Sequence, residues 1–516
     1  MSLLHFESYQ KGIIYSTLFN VIAKILLFAN SIVIAYYFGT QLRTDIYFFV
    51  FMTIAAAANL MSSLNIAVLI PESMRIKEQD GEKQSMRFLN FFLYGYLFFG
   101  AIMSLVLYCY PIDTFILFSK IERSSLTENI GIIYWALPLF GLILLTSFLT
   151  DILTSYKFFS MPMIAALVNN LFALIFIVVF HKYLGIISIL VGLNSAYIVN
   201  LLVLILLIKR RLNWVFSFRF IKINKKIWKD IIYVQSGNLT SMLSNFAPAY
   251  IFSSLSGIIT ALNYGQKTAN MPSELVTNQF VSVSGIRFNE LYAQKNYKQL
   301  NLVFLETGKL LLFVLIPISM LMFLLSEEII SFFYQRGKFD AESVCNSALF
   351  LKYLVFLLPF YAISGIASRL YMAAQLMKYS FWYQIIANIL QIALLWFFIK
   401  QFDIVGFPLA LLIQYIINIL VIWLFLYHLL PFIQYYRLIK YFIGLGLLNL
   451  VLLLLFYIIL PYLAQFSSFE RMSLVTFLYL SVYLGLNFVF KINYQVNTFI
   501  LTTFKRLIKI NSNGNN

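Results

Sequence analysis

Apolar runs of membrane-crossing length recur along this chain from about residue 13 to about residue 490. A hydrocarbon core about 30 Å thick is crossed by about 20 predominantly apolar residues in a helix. Lipid offers backbone N–H and C=O groups no water, so each run must satisfy its own hydrogen bonds, and here that means helices. The runs predict about fourteen spans, near 13–38, 45–70, 88–110, 131–153, 158–180, 184–208, 231–256, 258–284, 309–332, 346–368, 380–399, 404–427, 441–465 and 471–490. The expected fold class is an all-α polytopic membrane protein.

Composition agrees. The chain is 61% hydrophobic and 11% charged, against roughly 25% charged in a soluble domain. Its net charge of +17 does not point to nucleic acid, because the basic residues lie in short loops between spans, where the positive-inside rule places them. Their bias predicts that both termini are cytoplasmic. The longest basic segment, "KRRLNWVFSFRFIKINKKIWKD" at 209–230, reads as an interfacial helix touching anionic lipid, and the tail at 491–516 repeats that pattern. The first residues lack a basic n-region and cleavage site, so the first span is expected to be retained. Cys109 and Cys345 are the only cysteines, and no CxxC or HExxH spacing occurs. Neither a metal site nor a disulfide framework is indicated.

An internal repeat organises the spans. "AYIVNLLVLILL" at 196–207 aligns without gaps on "QYIINILVIWLF" at 414–425, pairing Asn200 with Asn418. The same offset pairs Asn170 with Asn388 and Lys182 with Lys400. An offset covering an even number of spans gives two copies of the same orientation, hence two six-helix lobes in parallel repeat with two helices appended. The expected segments are an N-terminal lobe at 1–208, the basic linker at 209–230, a C-terminal lobe at 231–430, a last helix pair at 431–490 and the tail at 491–516.

Within these spans a few polar groups stand out. Lys24 lies mid-span, where a charge costs about 2.5–3.5 kcal/mol on insertion scales, so it should face protein or water. It is either functional or a snorkelling or paired structural lysine. Asn30 follows six residues later and Asp45 opens the second span. The seventh span, "VQSGNLTSMLSNFAPAYIFSSLSG", either lines a wet cavity or packs closely on a neighbour. In the eighth, "LNYGQKTANMPSEL" puts Lys267 and Glu274 on nearly one helical face, as a binding cation with its partner or as a structural ion pair. Asn30 and Asn278 are further binding candidates, and Asp45, Asp151 and Arg369, near span ends, are structural or gating candidates. There is no phosphate loop, no nucleophile elbow and no soluble domain to hold an active site. The chain reads as a non-enzyme without cofactor, driven by membrane potential, an ion gradient or a downhill substrate.

Several segments resemble one family. "AKILLFANSIVIAYYFGTQLRTDIYFFV" is similar to the first-helix signature of the MviN/MurJ lipid II flippases of the MOP exporter superfamily; "ALNYGQKTANMP" is similar to their eighth-helix stretch, and "EEIISFFYQRGKF" to their "LLFxRGxF" segment. The resemblance implies a cavity between two lobes, a lipid-facing groove made by the last two helices, and alternating access that carries a polyprenyl-pyrophosphate saccharide across the bacterial inner membrane. It puts Lys24 and Lys267 where the family has cavity arginines. Asn30, Ser31 and Ala58 stand where the family has two arginines and an aspartate. An O-antigen, capsule or exopolysaccharide repeat unit is the rival cargo, and a cation-coupled drug or metabolite exporter the rival class. Membrane lipids and the lipid-linked substrate are the expected partners of a monomer.

Overall fold

A computed structural model describes residues 9–218, 223–494 and 496–498, with side chains from residue 18 onward. Among the described residues there is no strand. The long helices are α1 (Tyr9–Phe38), α2 (Leu42–Asp80), α3 (Glu82–Cys109), α4 (Ile130–Ser155), α5 (Met161–Leu184), α6 (Ile187–Arg211), α7 (Lys225–Phe252), α8 (258–293), α9 (Tyr297–Leu324), α10 (Ala341–Ala373), α11 (Met377–Phe402), α12 (Gly406–Leu429), α13 (Tyr435–Leu463) and α14 (Ser468–Phe490). Among the described residues hydropathy alone marks eleven segments as long and apolar enough to cross a membrane, one of them covering both α11 and α12. The two that escape it are α7 and α8, whose polar residues dilute their apolar content.

Local signals fix the helix ends. Asn224 accepts the Lys226 N–H and starts α7, and Asn296 accepts the Gln299 N–H and starts α9. Ser467 and Glu470 form a reciprocal capping box at the head of α14. These caps explain the largest boundary differences. α9 begins at Tyr297 rather than near 309, because its amphipathic first turns "YKQLNLVFLETGKL" are helical without being apolar enough to count as a span. It also stops at Leu324, and a separate short helix, Ser326–Tyr334, follows.

The basic linker differs from expectation as well. Its described residues 212–218 and 223–224 are not helical, and 225–230 already belong to α7. The cause is α3: Asn90 donates to the Val215 carbonyl at 2.7 Å and accepts from Trp214 Nε1 at 2.8 Å, while Phe218 stacks on Tyr94 with ring centres 3.9 Å apart. These bonds hold the segment along α3, and residues 219–222 lie outside the described residues, as does most of the basic tail.

The chain forms two compact units, 1–261 with 334–343, and 262–333 with 344–516. In the first, α4 is the central helix: Ile133, Leu139, Leu144, Phe148 and Leu153 are fully buried where it packs on α2, α3 and α6. In the second, α9 has that place, with Leu312, Leu315, Ile316 and Phe304 buried against α8, α10 and α13. The repeat is visible in the bonding. In the first unit Asn200 of α6 donates to the Ala165 carbonyl at 3.1 Å, and in the second Asn418 of α12 accepts from the Tyr383 hydroxyl. Both partners stand 35 residues before their asparagine.

The first unit also contains a tight backbone junction. The turn at residues 335–339 lies across the end of α1, with the Lys338 N–H donating to the Tyr36 carbonyl at 2.9 Å. Gly39 and Gly337 both have positive φ, and a Cβ on either would stand 2.3–2.4 Å from a backbone oxygen of the other segment. Only glycine fits such an approach.

Candidate functional site

The candidate residues fall in both units and are taken unit by unit. α1 is 30 residues long, about 45 Å at 1.5 Å per residue, and Lys24 lies at its middle. Its packed face carries Ala23, Asn30, Ser31, Ile34 and Ala35. Lys24 is half-buried and lies one helical line from Phe28, Ser31 and Ala35, at the edge of that face rather than on the lipid side. Asn30 points into α5: its amide donates to the Asn170 carbonyl at 2.8 Å, and Asn170 donates back to the Ala23 carbonyl at 3.2 Å. Asn30 is thus an interhelical latch that fixes the helix bearing Lys24. Ala58, at the third departure from the family pattern, is fully buried.

The polar seventh span does line a cavity. α2 and α7 enclose about 410 Å³, walled by Asn59, Ser63, Asn238 and Asn245 among Phe51, Met242 and Phe246. Asn238 donates to Ser63 at 2.7 Å across the gap. Asn59 and Asn238 were not singled out from sequence, although an amide in each of two neighbouring spans is the kind of signal that would have found them.

In the second unit, Lys267 and Glu274 sit half-buried on α8, and Glu274 lies within coulombic reach of Lys267. The helix does not break between them. Pro272 ends the α-helical stretch and a π-turn at Ser273–Thr277 follows, after which α-helix resumes at Asn278, whose side chain is exposed. A π-turn widens the local backbone and re-aims the residues beyond it. α2 has the same device at Asn65–Leu69, so the second helix of each half is interrupted alike. Gly265 contributes close approach rather than bending, since a Cβ there would stand 2.6 Å from Phe350 Cβ and 2.7 Å from the Ser347 carbonyl of α10.

The three structural or gating candidates have defined surroundings. Asp45 is buried, and its carboxylate accepts the Gly257 N–H, the Thr260 N–H at 2.8 Å and the Thr260 hydroxyl at 2.5 Å. It caps the first turn of α8, where unsatisfied N–H groups and the helix dipole favour an anion. Asp151 of α4 accepts from Asn65 of the α2 π-turn at 2.9 Å, and Asn65 accepts from Tyr96 at 2.9 Å. That chain ties α2, α3 and α4 together at the π-turn. Arg369 of α10 is exposed, its stem lying on Gly285 of α8 and its Nη1 at 3.9 Å from Met372 Sδ. Cys109 and Cys345 are both free thiols. Among the described residues no group of His, Cys, Asp and Glu is arranged to hold a metal.

Comparison with known proteins adds to this geometry. A family model described as "Lipid II flippase MurJ" matches residues 34–485. The "Probable lipid II flippase MurJ" of Borreliella burgdorferi is 25% identical over 422 residues, covering 80% of this chain and 81% of that protein. The protein of the same description from Buchnera aphidicola subsp. Acyrthosiphon pisum is 29% identical over 392 residues, covering 70% and 73%. Among solved structures, "Lipid II flippase MurJ, inward closed conformation" superposes with a TM-score of 0.77 at 21% identity, covering 93% of this chain and all of that one. A multidrug resistance MATE family transporter of the MOP superfamily, in an outward-facing conformation, superposes with a TM-score of 0.59 at 16% identity.

Proposed function

The chain belongs to the MurJ lipid II flippase family, and from that premise we propose that it carries lipid II across the bacterial inner membrane for peptidoglycan synthesis, with Lys24 and Lys267 as the cations that meet the pyrophosphate. The observation that carries this reading is the position of the two ammonium groups. Both sit half-buried on membrane-spanning helices, one on α1 and one on α8, within a chain that matches the family over residues 34–485.

A charge-assisted hydrogen bond contributes about 1.5–3 kcal/mol. Two such bonds offset a good part of the cost of drawing a pyrophosphate from the headgroup layer into a low-dielectric space. An ammonium is a point charge without the fixed fork of a guanidinium, so it binds phosphate with less geometric demand. That suits a headgroup that must be released on the other side. The Asn30–Asn170 latch holds the backbone around Lys24, and the π-turn beside Glu274 gives α8 a place to flex as the lobes alternate between inward and outward openings. Glu274 keeps Lys267 compensated when no substrate is present. The protein acts as a monomer with both termini cytoplasmic, carries out no covalent chemistry, needs no cofactor, and draws on membrane potential or an ion gradient.

The test is complementation of a bacterial strain depleted of its own lipid II flippase. The chain is expected to restore growth, and Lys24→Ala or Lys267→Ala to fail while still reaching the membrane. A chain that moves O-antigen or capsule repeat units instead would not rescue the strain.

A further inference from the structure

A second polar cavity lies in the first unit, at the end of α1 opposite its N-terminus. It measures about 520 Å³ and is walled by the Tyr36–Phe38 end of α1, the start of α2 at Arg43, the α5–α6 junction at His181 and Lys182, and the turn at Gly337 and Lys338. Three cationic side chains and an imidazole therefore line one space.

Among the described residues that line this space there is no acid. Several other arginines are paired with a carboxylate: Arg75 with Glu72, Arg123 with Asp113, Arg287 with Glu290 and Arg471 with Glu328. Among the described residues Arg43, Lys182 and Lys338 have no carboxylate partner. Arg43 donates only Nε–H, to the neutral Asn129 amide oxygen at 2.9 Å, which orients the guanidinium and leaves the rest of its fork unused. His181 is stacked on Tyr37 with ring centres 3.8 Å apart, and its Nδ1 is 3.1 Å from the Ile177 and Val178 carbonyls. Carbonyls only accept, so Nδ1–H is the donor to them. Lys338 is held in place by its backbone bond to Tyr36 and by the Gly39–Gly337 junction.

Like charges gathered without acids repel one another, and an anion in their midst removes that cost. The cavity falls within the size range of small-ligand pockets. Tyr36 and Tyr183 are exposed at the same end, as aromatic side chains at the headgroup level of a bilayer are. We infer that this cavity is a binding site for a phosphate-class anion at the membrane–water interface, separate from the Lys24 and Lys267 positions. The group is the phosphodiester of a phospholipid headgroup or the pyrophosphate of a lipid-linked sugar, and the chemistry of recognition is common to both.

The experiment uses the full chain carrying Lys24→Gln and Lys267→Gln, so that a failure of the proposed cavity roles leaves this result unaffected. Inorganic pyrophosphate is titrated calorimetrically in neutral-lipid nanodiscs. Saturable binding is expected, weakening with salt, and at least about tenfold weaker once Arg43→Gln, Lys182→Gln and Lys338→Gln are added. The single Lys182→Glu change, at an exposed position, gives the same direction without threatening the fold. Doping the nanodiscs with phosphatidylglycerol, or with polyprenyl pyrophosphate, tells which source displaces the probe, and displacement by either supports the site. No saturable binding, or binding unchanged by the triple substitution, would overturn the inference; displacement by neither lipid would overturn its interfacial placement.

Discussion

Gly337 approaches Tyr36 so closely that a Cβ on the glycine would stand 2.3 Å from the Tyr36 carbonyl oxygen. The two residues come from segments that the family signatures share, "YYFG" and "QRGKF", and the contact explains why glycine occupies both of them. Gly337→Ala must both strain a φ of 62° and displace a carbonyl that accepts the Lys338 N–H. A loss of about 2–4 kcal/mol is expected, and Gly39→Ala should behave alike. Thermal unfolding in detergent measures it, and an unchanged midpoint would refute the junction's role.

Asp45 gives the second prediction. Its carboxylate takes the N–H groups that α8 leaves open at its first turn, so Asp45→Ala orphans them in a buried place at about 2–3 kcal/mol. Asp45→Asn keeps an acceptor and should cost less. Limited proteolysis near residue 257 should speed up in the alanine variant, while equal rates in all three would argue against the cap.

Gly265 gives the third. If its role is close approach to α10, Gly265→Ala already collides with Phe350 and Ser347, and Gly265→Val destabilises further. Were it a hinge, alanine would instead stiffen α8 without lowering the melting temperature.

How much of this was legible beforehand depended on how local each feature is. The spans were, because a 20-residue apolar requirement is written in consecutive residues, and so was the repeat, since Asn200 and Asn418 hold one offset. The start of α9 was not, because a polar amphipathic turn such as "YKQLNLVF" is helical for reasons a hydropathy window does not weigh. Lys24 and Lys267 stood out by their cost in lipid. Asn30 was ambiguous, since the same amide serves a ligand or a neighbouring helix, and only its bond to Asn170 assigns it. The π-turns and the Gly337–Tyr36 contact depend on partners far along the chain. The Arg43, Lys182 and Lys338 cavity is assembled from two helix ends and a turn far apart along the chain and has no motif.

A pH dependence follows from Asp340, which lies just before α10 and caps it. The Ser343 hydroxyl, donating at 2.7 Å, and then the Ser343 N–H at 2.9 Å hold its carboxyl below the usual carboxylate range. A carboxyl lowered in the folded state stabilises above its unfolded value, and that contribution disappears as pH falls through the folded one. Ser343→Ala removes part of it, so the variant should be less stable at neutral pH and lose less on acidification between about pH 4 and pH 2. Unfolding midpoints against pH test this; parallel curves would contradict it.

The most direct test of the central claim is the rate at which fluorescent lipid II crosses vesicles reconstituted with the full chain. The account predicts flipping by the parent, loss of at least about tenfold in Lys24→Ala and in Lys267→Ala, as removal of one charge-assisted contact implies, and substantial retention in the charge-preserving Lys→Arg variants. Alanine variants of both lysines that flip lipid II at the parent rate would contradict it.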